Sequence, residues 1–326
     1  MIIEKILKQL TPNRAKKEIE SVKILKIPPE IQKWIKGYEK VGIRGEFFWK
    51  FMYKASQIVS PFNIPNIYRG SITEIKFLII IFTILLDDIA DKKKNKKLLN
   101  ELAKISFSRN YIKLDKLNRR EKKYLKFSIK LWCYIEQEIK KYPRYKEFKD
   151  IFNFDFSQVI NAIKYSSLIN QTPFLINKTE YWNYSSHTLH GMTYSSLDLM
   201  CSPKFDIREL GIVREIFWQT QKIARIGNCL STWKRELKEG DLTSGVLAYA
   251  VNSDFFDIQD LNKMDKIKII NRIDRLNIRY KLLKKWQEYY DEIRCLCRKT
   301  KSINTRNFLS QLEKLTLIYL IGEKYI

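Results

Sequence analysis

Residues 77–91 read FLIIIFTILLDDIAD, an apolar run that ends in three carboxylates. On a helix of about 3.6 residues per turn, Asp87 and Asp91 lie one above the other, and Asp88 lies beside them. Like charges this close repel one another unless a cation lies between them. Mg2+ prefers oxygen ligands and leaves positions open for substrate phosphates. The stretch therefore favours a cation site over an exposed acidic helix end neutralised by the lysines at 92–94.

The apolar run belongs to a helix predicted over residues 72–90. The face that carries the carboxylates also carries Ile80, Thr83 and Ile84, which are expected to line an apolar cavity below them. The run is well short of the roughly 20 residues that span a bilayer, so a buried helix of a globular domain is expected. A second long helix is predicted over residues 214–238.

A second polar pattern occurs at Asn228, Thr232 and Glu236, which recur every four residues. This spacing places an amide oxygen, a hydroxyl and a carboxylate in one stripe along a helix. The stripe is a second candidate site for a hard cation, and a solvated polar face is the alternative. Arg225 and Arg235 flank it and can donate to phosphate oxygens.

Together the two patterns resemble the metal-binding motifs of class I terpene synthases of the microbial type. Residues 87–91 resemble the DDxxD motif of that family, and residues 228–236 resemble its second motif, N/D-D-x-x-S/T-x-x-x-E. Residues 237–241 look like the segment that follows the second motif, whereas Cys229 stands where the family usually has an aspartate. The separation of the motifs and the chain length are similar to those of single-domain members, so the resemblance covers most of the chain.

The resemblance implies an all-α fold, a single-domain helical bundle of residues 1–326 around a central apolar active-site cavity. Residues 1–26 are expected to form a less ordered extension. The low content of glycine and proline, 10 and 8 residues, agrees with long helices. The implied cofactor is Mg2+ in a trinuclear cluster, for which Mn2+ can substitute. The implied metal ligands are Asp87, Asp88, Asp91, Asn228, Thr232 and Glu236. The implied catalytic residues are Asp87, Asn228, Thr232 and Glu236.

The segment at 181–200 departs from the family pattern. The family has an arginine there that senses diphosphate, followed by a helix break near a glycine, and this chain has no arginine in the segment. His187, four residues before Gly191, could replace it, and a structural histidine is an equal alternative. Lys324 and Tyr325 resemble an Arg-Tyr pair of the family, with a frayed terminus as the alternative. The implied diphosphate-binding residues are Arg225, Arg235, His187, Lys324 and Tyr325.

The implied reaction is the Mg2+-dependent ionisation of a linear prenyl diphosphate and cyclisation of the allyl cation to a terpene hydrocarbon or alcohol. Pyrophosphate is released, so the enzyme would be a carbon–oxygen lyase. Farnesyl diphosphate is the preferred substrate and geranylgeranyl diphosphate the next. Aromatic rings such as Phe77, Phe156 and Trp286 could stabilise the cation. Ordinary core packing is the favoured explanation for each of these rings.

Three other functions remain open. A chain-elongating prenyltransferase shares the fold but carries a second aspartate-rich motif in place of Asn228, Thr232 and Glu236. A non-catalytic basic helical protein would bind nucleic acid or anionic membranes. A degenerate synthase would have lost activity together with the arginine that this chain lacks.

The net charge of +25 can attract nucleic acid, an anionic membrane or a small anionic substrate. The lysines are scattered and accompany no recognised nucleic-acid motif, so a compositional bias is favoured and no nucleic-acid partner is expected. The five cysteines lack paired metal-site spacing, which indicates reduced thiols in a cytoplasmic protein. Neither a signal peptide nor integral membrane association is expected, and a homodimer is left open.

Overall fold

The computed structural model describes residues 1–57, 62, 64–93, 95–253 and 256–323. Within these residues the chain forms sixteen α-helices and no β-strand, which confirms the predicted all-α class. None of the helices found there is long and apolar enough to cross a membrane. The predicted diphosphate ligands Lys324 and Tyr325 lie outside the described residues.

The longest connection between consecutive helices is the segment 103–118, which contains a 3₁₀ turn at Arg109–Tyr111. The helices of the first half are α1 (Ile2–Lys8), α2 (Pro12–Lys23), α3 (Pro29–Glu39), α4 (Glu46–Ser56), α5 (Asn66–Asp87), α6 (Lys96–Leu102), α7 (Arg119–Ile139) and α8 (Tyr145–Gln171). Those of the second half are α9 (Lys178–Tyr184), α10 (Gly191–Met200), α11 (Leu210–Glu239), α12 (Gly245–Val251), α13 (Asp260–Lys263), α14 (Lys266–Asp274), α15 (Ile278–Cys297) and α16 (Thr305–Gly322).

Helix α5 lies at the centre of the bundle because residues 77–86, with the exception of Thr83, are apolar on every face of the helix. It contacts α3, α4, α7, α8 and α10, and a π-helical turn over Asp88–Lys93 continues it. The rings of Phe77, Phe156 and Trp286 are wholly buried in the core, and none of the three lines the cavity described below. The core-packing explanation for these rings is therefore confirmed.

Helix α11 is the longest of the described helices, at 30 residues, and it extends the predicted helix 214–238 at its amino-terminal end. It packs against α10, α15 and α16. Gly240 ends it in the left-handed conformation, with φ +81°, which glycine adopts without steric cost. The chain then turns back toward α8, and this turn places the residues after α11 beside the end of α5.

Residues 1–26 form helices α1 and α2, so the expectation of a less ordered extension is corrected. Ile3 and Ile6 are each 2% exposed, and the Ile3 amide donates to Oε1 of Gln287 in α15 at 3.0 Å. Helix α1 lies against α15 and α16, and α2 lies against α4 and α16. The apolar residues of these helices are few and three positions apart among many lysines, so their helical spacing was not recognised in the sequence.

Candidate active site

A cavity of about 230 Å³ lies among α4, α5, α8, α10, α11 and α16. Ile80, Thr83 and Ile84 line it, which agrees with the helix face predicted from the sequence. Side chains of α4, α8 and α16 complete an apolar wall, with Phe51, Val159 and Leu315 as examples. Polar and charged side chains gather in one part of the cavity, at the carboxyl-terminal ends of α5 and α11.

Both sequence patterns contribute to this polar part. The predicted site residues that line the cavity are Asp87, Asp91, Arg225, Asn228, Thr232, Arg235 and Glu236. Asp241, from the turn after α11, joins them. Of the predicted residues that the structure describes, Asp88 and His187 do not line the cavity.

The acidic side chains at the cavity repel one another. Burial raises the pKa of Asp87 above its ordinary value, although Arg44 opposes the rise. Burial, together with repulsion from Asp241 and Asp87, raises the pKa of Asp91 well above that of an ordinary aspartate. Burial and the charge of Asp241 raise the pKa of Glu236 to about 7. Opposite charge placed beside these carboxylates would favour their ionised form.

Asn170, at the end of α8, connects the two acidic regions. Its Nδ2 donates to Oδ1 of Asp91 at 2.9 Å and to Oδ1 of Asp241 at 3.4 Å. Its own Oδ1 accepts from the Leu242 amide at 2.8 Å. The backbone amide and the hydroxyl of Thr243 also donate to Oδ1 of Asp241. One amide side chain thus links the π-helical turn after α5 to the turn after α11.

Arg225 is held beside the stripe on α11. Its Nε donates to the Tyr181 hydroxyl at 3.1 Å, its Nη1 to Oδ1 of Asn228 at 2.9 Å and its Nη2 to the Thr243 carbonyl at 3.2 Å. One turn before the end of α11, Nη1 of Arg235 donates to Oε2 of Glu239 at 3.0 Å. The Nε of Arg235 is buried and has no partner in the part of the chain that the structure describes. Two guanidinium groups therefore border the acidic cluster.

Asp88 faces away from the cavity. Its side chain is wholly buried, one carboxylate oxygen accepts from the Tyr38 hydroxyl, and the other accepts from Nε of Arg44 at 2.9 Å. Adjacent residues on a helix point about 100° apart around its axis, so Asp88 cannot share the direction of Asp87. Both of its oxygens are already paired, which does not suit the predicted role of metal ligand.

His187 lies outside the cavity as well. Its ring packs edge-on against Trp218, with the ring centroids 4.9 Å apart. Burial lowers the pKa of His187 to about 4, so the side chain is neutral near pH 7. A neutral ring outside the cavity fits the structural alternative and not the predicted replacement of a diphosphate-binding arginine.

A helix break brings His190 to the cavity instead. The 3₁₀ turn Ser185–Leu189 ends at His190, whose φ of +60° is left-handed, and α10 begins at Gly191. Nε2 of His190 lies 3.1 Å from the Thr83 hydroxyl of α5. A Cβ atom at Gly191 would lie 2.7 Å from Cβ of Gln221, so glycine permits the close approach of α10 to α11.

The donors at the polar part of the cavity fit a hard divalent cation. They are oxygen atoms of carboxylates, an amide and a hydroxyl, and the carboxylates there resist ionisation without a counter-charge. Among the residues that the structure describes, no three acidic, histidine or cysteine side chains are arranged to hold one ion by themselves, so other oxygen donors would have to complete its coordination. Mg2+ is commonly bound by one or two carboxylates together with substrate phosphates and water.

The raised pKa of Glu236 leads to a stability prediction. A carboxyl group whose pKa is higher in the folded state than in the unfolded state does not weaken the fold below its unfolded pKa of 4.5, and it weakens the fold progressively as the pH rises from there to about 7. Without divalent cations, we expect Glu236→Gln to melt several degrees above the wild type at pH 8 and close to it at pH 4.5. Differential scanning fluorimetry measures both. Excess Mg2+ should remove the advantage at pH 8, and equal differences at both pH values would contradict this assignment.

Comparison with known proteins gives the fold. No family model and no curated protein sequence matches this chain. Isoprene synthase from leaves of grey poplar (Populus x canescens) matches with a TM-score of 0.56 at 13% identity, over 93% of this chain and 53% of that one. Abietadiene synthase from Abies grandis matches with a TM-score of 0.54 at 13% identity, over 89% and 36%. The chain thus spans about half the length of isoprene synthase.

A bacterial enzyme matches over nearly its whole length. Linalool/nerolidol synthase from Streptomyces clavuligerus, solved in complex with 2-fluorogeranyl diphosphate, has a TM-score of 0.51 at 8% identity, over 92% of this chain and 99% of that one. The poplar isoprene synthase has also been solved with three Mg2+ ions and dimethylallyl-S-thiolodiphosphate. All of these proteins are terpene synthases. The chain therefore has the class I terpene synthase fold, as the sequence resemblance predicted.

Proposed function

We propose that this protein is a Mg2+-dependent terpene synthase that ionises a linear prenyl diphosphate and cyclises the resulting allyl cation, with release of pyrophosphate. One observation carries the proposal. The carboxylates of Asp87 and Asp91 at the end of α5 and that of Glu236 on α11 line the same cavity, whose remaining wall is largely apolar. A charged headgroup and a hydrocarbon tail would each find a matching part of this cavity.

The residues proposed to hold Mg2+, or Mn2+ in its place, are Asp87 and Asp91 on one helix and Asn228, Thr232 and Glu236 on the other. When bound, the ions would neutralise the negative charge that develops on the leaving diphosphate. The chain's own cations would act on the same oxygens through charge-assisted hydrogen bonds. Arg235, whose buried Nε has no partner among the described residues, and Arg225 lie in suitable positions.

The apolar wall would bind the prenyl tail and exclude water from the cation. Phe48, Phe51 and Met52 of α4 lie on this wall. The aromatic rings of Phe217 and Tyr319 also line the cavity, and their electron-rich faces attract positive charge. Phe217 and Tyr319 are therefore proposed to stabilise the cation, in place of the three aromatic rings that the sequence analysis considered and that lie in the core.

The substrate is proposed to be farnesyl diphosphate, with geranylgeranyl diphosphate next. Because two structural neighbours were solved with analogues of shorter prenyl diphosphates, the assay should also include dimethylallyl and geranyl diphosphate. No nucleic-acid partner is proposed. An acidic cluster that would bind Mg2+, beside an apolar wall, suits the diphosphate and the hydrocarbon tail of a small lipid better than it suits a polyanion.

Turnover with Mg2+ is the direct test. Purified protein is incubated with each prenyl diphosphate in Mg2+ or in EDTA, and extracts are analysed by gas chromatography and mass spectrometry. We expect a terpene hydrocarbon or alcohol from one substrate in Mg2+, no product in EDTA, and recovery when excess Mg2+ is returned.

Other results would favour the alternatives. Longer prenyl diphosphates formed with isopentenyl diphosphate would identify a chain-elongating prenyltransferase. No product from a folded protein would favour a degenerate synthase. Salt-sensitive binding to DNA or anionic vesicles without turnover would favour a non-catalytic basic protein.

A further inference from the structure

One face of α7 carries a stripe of positive charge. Arg119, Lys123, Lys126 and Lys130 are exposed and recur at intervals of three and four residues, so they lie on the same face of the helix. The ion pairs within the described part of the chain include none of these four side chains. The other side of α7 packs into the core, so the stripe is the face that the helix presents to its surroundings.

The stripe does not stabilise the helix that carries it. Arg119 and Arg120 begin α7, where the positive end of the helix dipole disfavours cations. Like charges four residues apart, such as Lys126 and Lys130, repel one another. A surface pattern that works against its own helix, and that no carboxylate of the described residues neutralises, indicates a negatively charged partner outside the chain.

The positive charge is concentrated locally, beyond the excess of the whole chain. Residues 104–123 contain eight basic and two acidic residues, a net charge of +6 over 20 residues, against +25 over the 326 residues of the chain. The density of net charge in this segment is therefore about four times the average. A general bias toward lysine does not account for such a concentration.

The connection 103–118 between α6 and α7 lies alongside the stripe. Arg109 holds it there, because its Nη1 donates to Sγ of Cys133 at 3.0 Å and its Nη2 donates to Oε2 of Glu136 at 2.7 Å. Cys133 is seven residues after Lys126 and so lies close to the same face of α7. Within the connection, three large apolar side chains are exposed by 45%, 74% and 40%, namely Phe107, Tyr111 and Leu114.

A depression of about 410 Å³ lies at the beginning of the stripe, between α7 and the end of α3. Its lining consists of four cations, an aliphatic side chain and an aromatic ring: Lys40, Arg119, Arg120, Lys123, Val41 and Tyr124. Clustered cations attract the phosphate of a lipid headgroup, and the apolar groups beside them suit the part of the lipid below it.

We propose that α7 and the connection 103–118 form a face that docks on the surface of an anionic phospholipid bilayer. The stripe and the depression would contact lipid phosphates, and the exposed apolar side chains would enter the boundary between headgroups and acyl chains. A bilayer is favoured over nucleic acid because a bilayer offers an apolar layer to Phe107 and Leu114. The inference goes beyond the proposed function, since the residues of this face are not among those that line the cavity.

Co-sedimentation of the full chain with lipid vesicles tests the inference. Vesicles of phosphatidylcholine alone are compared with vesicles in which a third of the lipid is phosphatidylglycerol. We expect binding to the anionic vesicles only. This binding should be lost between about 0.1 M and about 1 M NaCl, over which the Debye length falls from about 10 Å to about 3 Å.

Removal of the stripe identifies the face. The variant Arg119→Gln/Lys123→Gln/Lys126→Gln/Lys130→Gln is expected to bind the anionic vesicles about 100-fold more weakly, because each cation near the membrane surface contributes about fivefold. The control removes the same charge from exposed side chains on or directly after α15, in the variant Lys281→Gln/Lys284→Gln/Arg298→Gln/Lys299→Gln. It should bind within about threefold of the wild type, because salt screens charges that lie far from the bilayer.

The apolar side chains of the connection are tested separately. Tyr111→Ser/Leu114→Ser is expected to weaken binding about tenfold, because it removes apolar area that would leave water in the bilayer. The dependence of binding on salt should stay the same, since no charge is lost. Unchanged affinity in this variant would refute the entry of these side chains into the bilayer.

Three results would overturn docking at this face: no binding of the wild type to anionic vesicles, unchanged binding of the α7 variant, or equal losses in the α7 variant and the control. Tighter binding to duplex DNA than to vesicles at the same ionic strength, lost in the α7 variant, would assign the face to nucleic acid and refute the bilayer. If the α7 variant does not fold by circular dichroism, Lys126→Gln/Lys130→Gln takes its place, and unchanged binding there refutes the inference.

Turnover distinguishes this inference from the proposed function. The α7 variant should turn over a prenyl diphosphate in solution as the wild type does, because its substitutions lie outside the cavity. Turnover in Mg2+ without binding to anionic vesicles would refute the docking face and leave the proposed function standing.

Discussion

Replacement of Glu236 by alanine is expected to lower kcat/KM for the prenyl diphosphate about 1000-fold, with most of the loss in kcat. Glu236 is one of two carboxylates that α11 contributes to the cavity, the other being Glu239, and its pKa is raised to about 7 by burial and by Asp241. Its loss would remove negative charge that holds divalent cations at the leaving group. Cation stabilisation there acts mainly in the transition state, where the carbon–oxygen bond is breaking.

Steady-state kinetics across a Mg2+ titration measures this effect. Glu215→Ala is the control because Glu215 is an exposed carboxylate on the same helix and does not line the cavity. The control should retain wild-type kinetics. A Glu236→Ala enzyme within about threefold of the wild type at saturating Mg2+ would remove Glu236 from the catalytic residues.

Replacement of Asp198 by alanine is expected to lower the free energy of unfolding by about 3–5 kcal/mol. Oδ1 of Asp198 in α10 lies 2.6 Å from Nζ of Lys76 in α5, and the two side chains are 0% and 3% exposed. Removal of the carboxylate leaves an ammonium group in the core without its counter-charge. The ion pair joins α5 to α10.

Urea denaturation measures the loss, and two variants define its origin. Asp274→Ala breaks an exposed pair of similar length, Lys234–Asp274 at 2.7 Å, and should cost less than about 1 kcal/mol. The double variant Lys76→Met/Asp198→Leu should recover much of the stability because no charge remains buried. A loss below about 1 kcal/mol in Asp198→Ala would show that water reaches Lys76.

The parts of the fold that could be predicted are those whose signal is local. Helices α5 and α11 are long, and the apolar run of α5 and the helical spacing of the polar residues on α11 located each end to within six residues. Helix α1 was missed because its buried face is only Ile3 and Ile6 among charged residues. Its burial depends on contacts with α15, which no local pattern reports.

The same distinction holds for the site. Asp87 and Asp91, or Thr232 and Glu236, share one helix, so their spacing predicts that they share a face. Arg44 lines the cavity and Asn170 donates to Asp91 from other elements, 43 residues before Asp87 and 79 residues after Asp91, and no spacing connects them to either motif.

The histidines show a third limit. Helical spacing does not predict where the side chain of His187 lies, because the left-handed backbone at His190 interrupts the helix. The break directs His190 to the cavity and leaves His187 packed against Trp218. Patterns based on helical periodicity fail where the helix itself ends.

The contact of α1 with α15 also has a consequence for how this protein is made. The Ile3 amide and the Gln287 side chain that accepts from it are 284 residues apart in sequence, and α2 packs against α16 in the same layer. Such non-local contacts form late, because most of the intervening chain must first be ordered. During synthesis the apolar residues of α4 and α5 would remain exposed until α15 and α16 have been made, and the chain could aggregate in that interval. Expression at low temperature should therefore improve the yield of folded protein, because the association of exposed apolar surfaces weakens on cooling.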